Sequence, residues 1–290
     1  MEIIGNKKAV KLLDRIVATG RVAGAYLFVG PESVGKFTLA MKFAAELTSV
    51  GGKINPDLVV IEPEIEVSKG VAKKLSIKIE DIRELERKLG LVATMNSYRV
   101  AIINEAERMN RSAQNAILKT LEEPNEKVVI ILVSSKEDKL LPTIISRCQK
   151  IRFGLVPEKT IKDGFPEIEE NQDAFFWSLG RPGMAKKLMG DRTELEHRQE
   201  SVSELQALLH KDVAKKFLLA EAWSKDSSEI EKKLGLWIVI LRQAVLGRSG
   251  IGISRAKAFR LIENVSESLS SLRETNTNAK LVLENLFLKL

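Results

Sequence analysis

The chain has 290 residues, 44% hydrophobic and 29% charged, which suits two or three folded domains and excludes a disordered or fibrous class. Its single cysteine, Cys148, excludes an internal disulfide framework and a multi-cysteine zinc site. The net charge of +7 lies mostly in residues 1–153, with 25 Lys and Arg against 19 Asp and Glu; residues 154–290 carry 21 against 20. Such a surplus suits nucleic acid phosphates but equally a mixed soluble surface, and no arginine-rich run or aromatic platform points to DNA sequence recognition. No apolar run exceeds six residues, as at 128–133, far too short to cross a membrane, and the first residues lack a signal-peptide layout, so a cytoplasmic location is expected.

Short apolar strands alternate with helical patterns through the first half. AYLFV at 25–29 is a strand candidate ending at Gly30, followed by a helix over 37–47 in which Leu39, Phe43 and Leu47 recur at helical spacing. LVVI at 58–61 is a second strand. IEDIRELERKL at 79–89 predicts an amphipathic helix with Ile79, Ile82, Leu85 and Leu89 along one face. RVAII at 99–103, a helix over 112–123, VVIILV at 128–133 and a short strand at 151–153 complete the series. Strands that are apolar throughout predict a parallel sheet covered on both faces, a doubly wound α/β domain with ligands at the carboxyl ends of its strands.

Beyond residue 153, the stretches 154–157 and 162–173 read as a linker with a short helical segment. From about residue 193 onward the pattern is helical. Leu205, Leu208 and Leu209 form one stripe, and Trp237, Ile240, Leu241 and Ala244 another; Leu281, Leu283, Leu286 and Phe287 close an all-α C-terminal domain.

GPESVGKFT at 30–38 lies between a predicted strand and a predicted helix, the context a phosphate-binding loop requires. Gly30 and Gly35 would free the backbone to wrap phosphate, and Lys36 would reach its outer oxygens. A glycine-bearing turn with no ligand is the competing possibility. The motif's next position, a Ser or Thr hydroxyl that holds magnesium, is Phe37; Thr38 lies about 100° further around the helix, off the metal position, and is a nucleotide-binding candidate with Gly30, Gly35 and Lys36. A P-loop enzyme also needs an acidic pair after a later strand. Here Glu105 is present, but the Asp position is Asn104, a much poorer magnesium partner. Two defects in one metal site predict little or no hydrolysis.

The run from 103 to 153, INEAERMNRSAQNAILKTLEEPNEKVVIILVSSKEDKLLPTIISRCQKIRF, resembles the bacterial clamp-loader AAA+ family, as does AYLFVGP at 25–31. The resemblance is specific over residues 1–153 and architectural beyond. It implies an α/β AAA+ P-loop domain at 1–153, a small helical lid at 154–192 and a helical collar for oligomerisation at 193–290. It further implies that Arg147, in Ser146-Arg147-Cys148, acts in trans as an arginine finger for a neighbouring subunit; the alternative is an arginine paired with a local carboxylate. Such fingers contribute on the order of 10³-fold or more in related enzymes. Cys148 is expected to be a buried small residue rather than a nucleophile. Glu105 with Asn104 is implied to be a vestigial acidic pair. Ser134 or Ser135 stands where a polar residue would sense the γ-phosphate. Gly183, in GRPGMA at 180–185, falls where active loader ATPases carry a sensing arginine.

Many relatives carry a four-cysteine zinc module, but TSVGGKINPD at 48–57 is short and has no cysteine, so no zinc is expected. The resemblance implies no required cofactor, with ATP or ADP held weakly at most. The implied role is that of a largely non-hydrolysing stator in the clamp loader of the DNA polymerase III holoenzyme, serving DNA replication. Its implied partners are the gamma/tau ATPase subunits and the delta subunit, with the sliding clamp and primer–template DNA met through the assembly and no membrane. Two other functions stay open: an active gamma/tau-type ATPase using Lys36 and Glu105, and a nucleotide-gated binding module without turnover.

Overall fold

Five strands form the central sheet, four of them apolar over most of their length and the fifth, at 149–152, carrying one apolar residue, Ile151. The computed structural model describes residues 3–48, 57–68, 71–90, 98–123, 125–248, 251–274 and 277–290, and the chain divides into two compact units, Met1–Gly190 and Asp191–Leu290. In chain order, the first unit begins with α1 (Lys7–Thr19), β1 (Ala25–Val29), α2 (Lys36–Thr48), β2 (Leu58–Ile61) and the antiparallel hairpin β3 (Ile65–Ser68) and β4 (Val71–Lys74). It continues with α3 (Ile79–Leu89), β5 (Arg99–Ile103), α4 (Arg111–Glu122), β6 (Val128–Ser134), α5 (Pro142–Arg147) and β7 (Gln149–Arg152).

The sheet order is β2-β5-β6-β1-β7, with every pairing parallel. Successive side chains of a strand face opposite ways, so one strand feeds two cores. Tyr26 and Phe28 pack with Leu39, Phe43 and the α1 residues Ala9, Leu13 and Ile16 on one face. Leu27 and Val29 pack with Ile82, Leu85, Ile117 and Ile144 on the other. The central strands β1, β5 and β6 are buried on both faces, as their apolar runs predict. The strands at 25–29, 58–61 and 99–103 lie where their apolar runs place them; β6 extends one residue further, to Ser134, and β7 runs over 149–152 rather than 151–153.

Residues 154–157 carry no helix or strand, whereas most of 162–173 lies in helical or 3-10 turns. α6 (Glu158–Gly164), a 3-10 turn (Pro166–Glu170), α7 (Gln172–Ser178) and α8 (Pro182–Gly190) follow the last strand. They form a small core of Val156, Ile161, Ile168 and Ala185. These apolar anchors are widely spaced among acidic and turn-forming residues, so the helical period is faint in the sequence.

The second unit is all helical: α9 (Arg192–Leu209), α10 (Val213–Trp223), α11 (Ser227–Val245), α12 (Arg255–Glu274) and α13 (Ala279–Lys289). The side chains of Asp191, Asp212 and Asn278 accept backbone N–H bonds at the starts of α9, α10 and α13, satisfying donors that have no partner within the helix. Leu205, Leu208, Trp237, Ile240, Leu241, Leu283, Leu286 and Phe287 are buried. Trp237 and Phe287 meet Trp223 in an aromatic cluster with ring centroids 5.4 to 6.1 Å apart. Leu281 departs from its stripe and is 62% exposed, as Leu218 on α10 is 69% exposed. No helix among the described residues is long and apolar enough to cross a membrane.

Candidate functional site

The loop after β1 has the backbone its glycines allow. Gly30 has φ 148°, and a Cβ there would lie 2.2 Å from the Phe153 carbonyl oxygen, so only glycine lets β1 and the chain after β7 approach this closely. Gly35 has φ 94° and delivers Lys36 as the first residue of α2. The Lys36 Nζ donates to Gly30 O (2.7 Å), Pro31 O (2.6 Å) and Ser135 Oγ (3.0 Å). Burial pushes this amine down to about 8, against the upward pull of Glu107, Glu32 and Glu105. The lysine thus spans the loop and the end of β6, with its donors held by the protein's own oxygens.

A cavity of about 590 Å³ opens over this loop, lined among others by Ser33, Gly35, Lys36, Phe37, Thr38 and Ser135. Its size is within the range of small-molecule sites. Thr38 lines the same cavity as Phe37, because the first turn of α2 forms the cavity wall and exposes neighbouring positions. Phe37 also packs against the core beneath α2, an apolar role where the motif calls for a hydroxyl. Gly30 is not among the lining residues and shapes the loop from below.

Of the two serines, only Ser135 faces the cradle. Ser134 is 1% exposed, and its Oγ accepts from the Lys136 N–H at 3.1 Å, which closes the turn after β6. The Ser135 N–H donates to Glu107 Oε1 at 3.2 Å.

The acidic pair is present in altered form. The Asn104 Nδ2 donates to Glu62 Oε1 at 2.8 Å. Glu105 sits in the left-handed region at φ 50°, and its carboxylate is ion-paired with Lys74 of β4 and with Arg108, whose Nε lies 2.7 Å from Oε2. Burial pushes the Glu105 carboxyl up, but hydrogen bonds and charge from Lys74 and Arg108 outweigh it and hold it below the usual range. The donor set does not fit magnesium. Phe37 offers no oxygen, Asn104 turns its amide to Glu62, and Glu105 is engaged by two cations. No group of three metal-capable side chains occurs among the described residues. The zinc expectation concerns residues 48–57, of which only Thr48 and Asp57 lie within the described residues.

The segment after β7 reaches the loop directly. The Gly183 N–H, at the start of α8, donates to Ser33 O at 2.8 Å, and a Cβ at 183 would lie 3.0 Å from that oxygen. Asn6 adds a second tie. Its Nδ2 donates to Val34 O (3.2 Å) and Gly154 O (3.3 Å), while its Oδ1 accepts from the Gly154 N–H (2.9 Å). Nothing local in the sequence marks Asn6, because its partners lie 28 and 148 residues away.

Arg147 ends α5, outside the residues that line this cavity, and its Nε donates to Glu122 Oε1 at 2.8 Å. Buried Gln114 orients that helix. Its Nε2 donates to Met109 O and Lys139 O, each at 3.1 Å, and its Oε1 accepts from the Leu141 N–H at 2.8 Å, immediately before α5. Cys148 is partly buried, and burial alone pushes its thiol up to about 12, which makes it a packing residue rather than a nucleophile. Glu122 and Glu123 close α4, Glu122 as its last residue and Glu123 as its C-cap; Pro124 lies outside the described residues.

A parallel sheet with this loop after its first strand, and a helical segment hydrogen-bonded to the loop, defines a P-loop domain of the AAA+ class. Residues 5–156 match the family described as DNA polymerase III, delta subunit, and the chain belongs to that family. It is 31% identical over 225 residues to the DNA polymerase III subunit delta' of Pseudomonas aeruginosa, across 70% of this chain and 66% of that protein. It is 29% identical over 180 residues to the subunit gamma/tau of Mycobacterium bovis, across 59% of this chain and 31% of that protein. The chain therefore spans about a third of the length of the gamma/tau relatives it matches. A gamma subunit-related protein from Thermotoga maritima shares the fold, with a TM-score of 0.50 and 20% identity over 95% of this chain and 97% of that one.

Proposed function

We propose that this chain is a clamp-loader subunit of bacterial DNA polymerase III that does not itself hydrolyse ATP and serves as a stator, offering Arg147 to the nucleotide site of a neighbouring ATPase subunit. The observation that carries the non-hydrolysing part is Glu105, the carboxylate in position to activate water, bound instead by Lys74 and Arg108. Phe37 and Asn104 add to it by withholding magnesium. Family membership and similarity to delta' and gamma/tau subunits support the assembly role. The partners on this reading are gamma/tau and delta subunits, with the clamp and primer–template DNA reached through the complex. Exposed Leu218 and Leu281 supply apolar surface suited to contact with neighbouring subunits.

Reconstitution with the ATPase subunits tests this. Arg147→Ala is expected to leave assembly intact and to lower DNA-stimulated ATP turnover at one interface. Unchanged turnover would remove the finger assignment. The similarity to gamma/tau favours one second reading, an active ATPase; it predicts Lys36-dependent phosphate release by this chain alone, where the stator predicts none.

A further inference from the structure

The donor set rejects magnesium, and fixed cations stand in the same cavity. Lys36 comes from the loop, Lys74 from the hairpin, Arg108 from the turn after β5, and Lys186 from α8. Two carboxylates, Glu32 and Glu105, also line it, so the cations leave a surplus of two positive charges. Lys186 lies three residues after Gly183, on the same side of α8. The close approach of Gly183 to Ser33 therefore also brings Lys186 to the cavity wall.

We propose that this cavity binds a nucleoside di- or triphosphate as the metal-free anion, with Lys186, Lys74 and Arg108 supplying the charge that magnesium supplies in metal-dependent sites. This rests on the loop being the phosphate cradle of the stator described above. Free nucleotide carries two more negative charges than its magnesium complex. A site with fixed cations and no metal ligand gains nothing from the metal and favours the more highly charged form. Thr38 and Ser135 add hydroxyl donors at the cavity wall. The anion must draw Lys36 away from Gly30 O or Pro31 O, which limits affinity without blocking it.

Calorimetry of the full chain with ADP and with ATP, in magnesium and in EDTA at low salt, tests the proposal. Affinity in EDTA is expected to equal or exceed that in magnesium, and Lys186→Ala to weaken it about tenfold, the loss of one charge-assisted contact. Lys186→Glu should weaken it further. Lys186 is exposed on its helix, so unchanged melting temperatures separate a binding defect from a folding defect. A requirement for magnesium, no binding in either buffer, or full affinity in Lys186→Ala would each overturn the proposal. None of these outcomes changes what Arg147→Ala does in the reconstituted loader, so the two readings fail separately.

Discussion

Arg147 folds back onto Glu122, with its Nε 2.8 Å from Glu122 Oε1 and its Nη1 3.1 Å from Thr143 O. An arginine that serves another subunit must leave this carboxylate first. Exposed pairs of this kind are worth about 0.2–1 kcal/mol. Glu122→Gln is therefore expected to lower, by up to about fivefold, the concentration of this chain that half-stimulates the partner ATPase. A rise instead would mean that Glu122 itself contacts the neighbour.

Gln114 offers a way to disturb Arg147 without touching it. Gln114→Leu keeps the volume roughly but strands Met109 O, Lys139 O and the Leu141 N–H, all held by one side chain. Each orphaned buried group costs about 1–3 kcal/mol. A clear fall in the urea midpoint is expected, with a loss of stimulated turnover that follows the displacement of α5. Full stability would show that the backbone groups find water or other partners.

Gly30→Ala should be among the costliest single-methyl additions in the chain. The new Cβ meets a backbone oxygen at 2.2 Å, and φ is 148°. Gly20 provides the comparison, because it has φ 66° with nothing within 4 Å of its Cβ position. Gly30→Ala is expected to cost at least about 2 kcal/mol more than Gly20→Ala in chemical denaturation. Equal costs would mean that β1 and the chain after β7 can separate freely.

Nucleotide affinity should depend on pH through Lys36. Burial lowers its amine to about 8 in the free protein, and a bound phosphate would raise it. The bound state then holds a proton that the free state loses above pH 8. Affinity is expected to be flat below pH 8 and to fall with rising pH, by up to about tenfold per unit, with proton uptake seen in buffers of different ionisation heat. Affinity that rises with pH would remove Lys36 from the phosphate contact.

The sheet is readable in the sequence where its strands are buried on both faces, as at 25–29 and 100–103, and the edge strand at 58–61 is still apolar although only partly buried. The β3–β4 hairpin is not, since its sequence EIEVSKGVAKK mixes charged and apolar residues without a continuous apolar run. α1 carries a legible signal, with Ala9, Leu13 and Ile16 at helical spacing on one buried face. The site divides the same way. The loop residues from Gly30 to Lys36 are local and carry a motif, whereas the Lys74–Glu105 pair spans 31 residues and the Asn6–Gly154 contact 148. The choice between Ser134 and Ser135 depends on which way β6 turns at its end, which no local pattern encodes.

Restoring the two missing magnesium ligands should not restore hydrolysis. Phe37→Thr with Asn104→Asp returns a hydroxyl and a carboxylate to the metal position, and magnesium should then strengthen nucleotide binding. Glu105 would still be held by Lys74 and Arg108, and the charge that stabilises its carboxylate also weakens it as a base. The double variant is expected to release phosphate at background rate. Adding Lys74→Ala removes one of the two cations on Glu105, and any turnover should first appear in that triple variant. Phosphate release by the double variant alone would show that metal loss was the sole block and that the hairpin's contact with Glu105 has no catalytic consequence.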